Sequence, residues 1–146
     1  LVDAVRAELH VAQEDYGAAL KLVPGIEAAC AKNGLSSGYL WGTAKHVRAL
    51  NDLSGGKLRE AEAAWGELAD AQRKGGSPVL ARSLNYFAAC AELRGDTAAA
   101  RTRFDESRAA QAKMPRCPPV TRAITLWRLA VLADKEGKKA EAKKLL

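Results

Sequence analysis

The chain is poor in the residues from which catalytic and metal centres are built. It has two histidines, three cysteines and one methionine among 146 residues, and aromatics make up 5% of it. His10 and His46 belong to no H-E-x-x-H pair, so the two-histidine helix face of a zinc hydrolase cannot be formed. Cys30, Cys90 and Cys117 are odd in number and contain no C-x-x-C pair, which argues against a disulfide framework and against a cysteine zinc site. No apolar run approaches the roughly 18 residues that cross a bilayer, so no membrane segment is expected. A phosphate loop is also missing. Lys57 of Gly55-Gly56-Lys57 precedes Leu58 rather than Ser or Thr, and Asn51 stands where that loop needs its first glycine. G-x-G-x-x-G does not occur, and carboxylate pairs such as Glu60 and Glu62 fall on helical stretches as solvated charges. No catalytic residue, cofactor site or metal site is expected, and the chain is not read as an enzyme.

Alanine is what the chain has in abundance, with 30 residues, and its placement is periodic. Ala7, Ala49, Ala88 and Ala130 are each followed twelve residues later by another alanine, at Ala19, Ala61, Ala100 and Ala142. Sixteen residues after each first alanine comes a large apolar side chain: Val23, Trp65, Phe104 and Leu146. The repeat-to-repeat intervals are 42, 39 and 42 residues. A fixed period of this size marks a helical repeat array, whose units bury their apolar faces only against neighbours.

Each unit reads as two helices around a tight turn: Glu14-Asp15, Gly56-Lys57, Gly95-Asp96 and Gly137-Lys138. Glycine in three of the four turns can take the left-handed conformation that ends a helix without Cβ strain. Helix-stopping clusters separate the units at Asn33 to Ser36, Gly75 to Pro78 and Pro115 to Pro119. The expected helices cover 1–13, 16–32, 37–54, 57–74, 79–94, 96–113, 120–136 and 138–146, with no strand. Pro24 is expected to kink or split the second of them, because proline removes a donor and clashes with the preceding turn. At the column alanines, small side chains would let the two helices of a unit approach closely while the large residue fills the next turn.

This pattern resembles the tetratricopeptide repeat (TPR) family, carried by Ala88, Gly95, Ala100 and Phe104, by Ala49, Gly56, Ala61 and Trp65, and by the Asp15-Tyr16-x-x-Ala19-Leu20 turn. It departs in its period near 40 and in having His10, Asp52, Ala91 and Ala133 where that family places a tyrosine. Long alanine- and arginine-rich units of this kind are similar to the sensor arrays of bacterial LuxR-type and antibiotic-regulatory activators. The resemblance implies an all-α, right-handed superhelical solenoid of antiparallel helix pairs, with about four units near 1–34, 35–76, 77–117 and 118–146 in one array. It further implies a non-catalytic scaffold for a protein or peptide, or a ligand-sensing segment of a larger bacterial regulatory or signalling protein.

In that family the first helices line the concave face, which here would bring together Leu50, Leu53, Ala89 and Val131 as an apolar floor. His46, Arg82, Asn85 and Trp127 would be the polar and aromatic anchors for a partner. Trp127 has two readings, as an interface anchor or as core packing. A lysine and asparagine clamp for acidic tails lacks its matched residues and is rejected.

The net charge of +6 is unevenly distributed. Residues 1–70 hold seven Lys or Arg against ten Asp or Glu, whereas residues 71–146 hold sixteen against seven. This leaves open an electrostatic binder of nucleic acid or an acidic surface, and also a structural module that self-associates through its ends. The chain starts at Leu1 inside an expected helix and is read as a fragment of a larger protein. Cys30 and Cys90 on apolar helical stretches suggest buried thiols in a reducing, cytoplasmic setting, and Cys117 a loop thiol.

Overall fold

A computed structural model describes residues 1–36, 38–114 and 117–146. Among them are eight α-helices: α1 (Val2–Ala12), α2 (Tyr16–Lys32), α3 (Gly38–Ser54), α4 (Leu58–Lys74), α5 (Leu80–Leu93), α6 (Thr97–Ala112), α7 (Pro119–Lys135) and α8 (Lys139–Leu145). The expected all-helical repeat is what forms, and the helix ends fall within one or two residues of those anticipated. Ser37, the expected first residue of the third helix, and Pro115 and Arg116, from the expected boundary before the fourth unit, lie outside the described residues.

The four turns inside the repeats share one hydrogen-bonding scheme. The N–H of Asp15, Lys57, Asp96 and Lys138 donates back to the carbonyl of His10, Asp52, Ala91 and Ala133 at 2.9, 2.8, 2.9 and 2.8 Å. This is the six-to-one bond of a Schellman end, and it needs a left-handed residue just before the donor. Gly56, Gly95 and Gly137 supply it at φ of 76, 84 and 75°, and Glu14 adopts it at 59° despite its side chain. All four turns therefore close alike, including the one without glycine. Asp15 and Asp96 then begin the next helix, their carboxylates accepting from the N–H of Ala18 and Ala99 at 2.9 Å.

The chain divides into two compact units, Leu1–Ser77 and Pro78–Leu146, each holding two helix pairs. In the first, α1 packs on α2, α3 on both, and α4 on α3. Its core joins Ala4, Ala7, Ala19, Val23, Ile26 and Cys30 to Ala44 and Val47 of α3. In the second, α5 packs on α6, α7 on both, and α8 on α7. There Ala88, Ala91, Ala100, Phe104, Leu129 and Leu132 make the core.

Every column alanine is buried, from complete burial at Ala7, Ala19, Ala49, Ala61, Ala88 and Ala100 to 8% exposure at Ala142. Val23, Trp65 and Phe104 are fully buried beside them. Leu146 departs from its column at 85% exposure, because α8 ends at Leu145 and it is Leu145 that packs on the second core. Pro24 does not split α2, which runs on to Lys32. Val23 and Ile26 on either side of it are both buried, and that apolar contact offsets the lost backbone bond.

Replacing Glu14 by Gly should raise stability by about 1 kcal/mol, since a side chain at positive φ costs that order and glycine does not. A lower urea midpoint in the variant would show that Glu14 is not strained. Ala100→Leu should cost about 1–3 kcal/mol through overpacking at the α5–α6 contact, and chemical denaturation reads it directly.

Candidate binding surface

The four anchors expected from the sequence lie in different environments. His46, on α3, is 3% exposed. The indole Nε1 of Trp65 donates to its Nδ1 at 3.2 Å, and the two rings meet edge to face at 6.2 Å. His46 is therefore a core partner of α4 and does not reach a surface. Its helix turns it toward α4 because positions 43, 44, 46, 47, 49 and 50 of α3 are all buried. Leu50, expected in the groove floor, is buried with them.

Asn85 is likewise internal, at 7% exposure. Its Nδ2 donates to the Thr121 carbonyl at 3.3 Å, and its Oδ1 accepts from the Thr125 hydroxyl at 2.8 Å. Gln111 Nε2 donates to Thr125 Oγ1 at 2.6 Å, and Ser107 Oγ donates to the Ala81 carbonyl at 2.9 Å. These groups join α5, α6 and α7 by a buried polar network where the first unit uses alkyl packing. A buried amide is tolerable only when its bonds are made, which is why Asn85 turns inward to the hydroxyls and carbonyl of α7.

Arg82 is partly buried one turn before Asn85. Trp127, on α7, is 51% exposed, so of its two readings the structure favours a surface ring over a core one. Ile124 at 43% and Val120 at 65% continue a single exposed apolar stripe. Their spacing of four and three residues keeps them on one face of α7, opposite the buried Thr121, Thr125, Leu129 and Leu132. The Arg128 guanidinium sits 4.6 Å from the Trp127 ring centroid and pairs with Glu92 of α5 at 3.3 Å. Lys135 shares the same carboxylate at 3.3 Å. The stripe thus has an aromatic held by a cation, and one acid facing two bases. The sequence singled out Trp127 but gave no sign of the Arg128–Glu92 clasp beside it.

In the first unit, a dent of about 330 Å³ opens between α2 and α3, lined by Cys30, Ala31, Leu35, Trp41 and Ala44 with Glu27 and Lys45 at its rim. Both rim charges are already used. Glu27 accepts two bonds from Arg48 at 2.7 Å, which hold its carboxyl below the usual carboxylate range, and Lys45 pairs with Glu67. Cys30 and Cys90 are buried and free, and Cys117 is partly exposed. Among the described residues no group of three or more His, Cys, Asp or Glu is placed to hold a metal ion.

Solved structures decide the fold. A Podosopora anserina protein described as a kinesin light chain with nearly identical TPR-like repeats superposes at a TM-score of 0.73 and 22% identity, over 99% of this chain and 70% of its own. BtubC (BKLC) from P. vanneervenii superposes at 0.80 and 16% identity, over 99% of this chain and 59% of its own. The fold is a TPR-like helical repeat. At these identities the likeness establishes architecture alone, and the chain spans roughly 59–70% of the lengths of these neighbours. No family model and no curated protein matches the sequence. No helix among the described residues is long and apolar enough to cross a membrane.

Asn85→Ala should destabilise the second unit by about 1–3 kcal/mol by orphaning the Thr121 and Thr125 groups. Measured by urea denaturation, a variant as stable as the parent would show that the network contributes nothing.

Proposed function

We propose that the chain is a non-catalytic protein-interaction scaffold whose partner docks on the first-helix face of the second unit, at Trp127 and Arg82. The half-exposed stripe of Val120, Ile124 and Trp127 carries this reading, because an exposed tryptophan among aliphatic neighbours is the kind of residue that dominates interface energetics. TPR-like folds among its structural neighbours support a scaffold in general terms. The finer expectation is a cytoplasmic segment of a bacterial regulatory or signalling protein, and the domains that flank it in the full-length protein would test that expectation. In this reading His46 and Asn85 hold the helices that display the surface and do not touch the partner.

The basic second unit, with fourteen Lys or Arg against seven Asp or Glu in residues 78–146, keeps an electrostatic nucleic-acid reading as the alternative. Its affinity would fall steeply with salt and would not depend on Trp127.

Peptides selected from a displayed random library should bind the chain, and Trp127→Ala should weaken them by about 1–2 kcal/mol while leaving the thermal midpoint unchanged. A selection without binders removes the reading, as does a Trp127→Ala variant that loses stability and keeps its affinity.

A further inference from the structure

Helix α1 leaves an apolar face open to solvent. Leu1, just ahead of the helix, and Val2, Val5 and Leu9 within it are each between 56% and 76% exposed, and Ala12 is exposed in line with them. The opposite face packs inward through Ala4, Ala7 and the partly buried Val11. Aliphatic side chains exposed singly are ordinary on a protein surface, but four on one side of a short helix make a contact face.

The repeat register gives that face a role. Forty-two residues on, Leu1, Val2 and Val5 correspond to Thr43, Ala44 and Val47 of α3, all of them buried. Ala44 and Val47 lie in one core with Ile26 and Cys30 of α2. In the second unit the same register reaches Thr125 and Leu132 of α7, the first bonded to Gln111 of α6 and the second in one core with Phe104 of α6. These are the positions at which the first helix of a pair receives another helix, and in α1 they are apolar and open.

Spacing and charge identify the occupant. Val2, Val5, Leu9 and Ala12 recur at intervals of three, four and three, the seam of two helices lying side by side. At about 100° of turn per residue, Arg6 and Glu8 fall on opposite edges of this seam. The face therefore carries one base, one acid and no net charge. Arg6 is exposed and in no ion pair among the described residues, and Glu8 accepts from the Thr43 hydroxyl at 3.4 Å. A second copy of the chain presents the same seam, and a parallel two-fold pair sets the Arg6 edge of each copy against the Glu8 edge of the other. An antiparallel pair would set Arg6 beside Arg6 and Glu8 beside Glu8, which like charges oppose. End-to-end stacking offers less apolar surface, since Leu146 is the one large exposed apolar side chain at α8 among the described residues.

From these observations we infer that α1 is a self-association surface, through which two copies of the chain pair in parallel about a two-fold axis. Val2, Val5, Leu9 and Ala12 of each copy form the buried seam, flanked by Arg6 and Glu8. One short helix buries less than the roughly 800 Å² per partner of a standard interface, so the dimer dissociates on dilution. The pairing uses no residue of the Trp127 surface and is independent of the binding reading above.

Sedimentation of the intact chain over a wide dilution series tests it. The chain should pass from monomer to dimer as its concentration rises. Leu9→Glu and the milder Val5→Ser should each raise the dimer dissociation constant about tenfold or more, and Trp127→Ser should leave it unchanged. Both α1 substitutions lie at exposed positions, so the melting curve of the dilute protein should not move. In a Cys117→Ser background, Ala12→Cys should cross-link to its own copy under mild oxidation, because a parallel seam brings equal positions together. A chain that stays monomeric at every concentration, or a dimer that survives both α1 substitutions, would overturn the pairing. A dimer lost with Trp127→Ser would assign the contact to the other surface and overturn it equally. An Ala12→Cys dimer that does not cross-link would overturn the parallel arrangement and keep α1 as the contact.

Discussion

Close approach of the two helices in each repeat is the constraint on which the rest of the structure depends. The approach requires a side chain no larger than a methyl group on both helices at the point where they pack, and the eight column alanines supply it. Once the backbones are that near, one large residue a turn later, such as Trp65 or Phe104, fills the remaining space, and the tight Schellman turn between the helices becomes short enough to hold their register. The turn scheme is strict enough to impose a left-handed conformation on Glu14, where no glycine is present to accept it.

The two units reach compactness by different chemistry. The first joins its repeats chiefly with alkyl groups, with one hydrogen bond from the buried Thr43 hydroxyl to Glu8 at 3.4 Å, and adds the Arg48–Glu27 pair on the outside. The second places Asn85, Ser107, Gln111, Thr121 and Thr125 at the corresponding junction and satisfies them mutually. An alkyl junction tolerates small shifts at little cost, whereas a network of directed bonds has one arrangement in which every donor is met. The helix that displays Trp127 is anchored by that network. Arg101 adds to it from outside by joining α6 to Glu136, just past the end of α7, and to Glu141 of α8.

Display of the stripe follows from this anchoring. Thr121, Thr125, Leu129 and Leu132 commit one face of α7 to the interior, and the residues four and three apart on the other face are left outside. Arg128 then lies over the indole and holds it in place through Glu92, limiting the side-chain freedom that a partner would otherwise have to freeze.

Local signals in the sequence determined the helices, their ends, the turns and the small-residue columns, because each follows from neighbours within about twenty positions. Alanine spacing identified which residues face inward, and every column alanine does. Tertiary structure decided the orientation of the polar residues. His46 and Asn85 look like groove anchors when only their register is known, since a polar side chain on a helix is expected to face water. Their burial depends on acceptors and donors brought by other helices, the Trp65 indole for one and the Thr121 carbonyl and Thr125 hydroxyl for the other. Trp127 is the converse case: nothing in the sequence separated core from surface for an indole at that position, and its exposure was settled by which face of α7 the buried threonines and leucines had already taken.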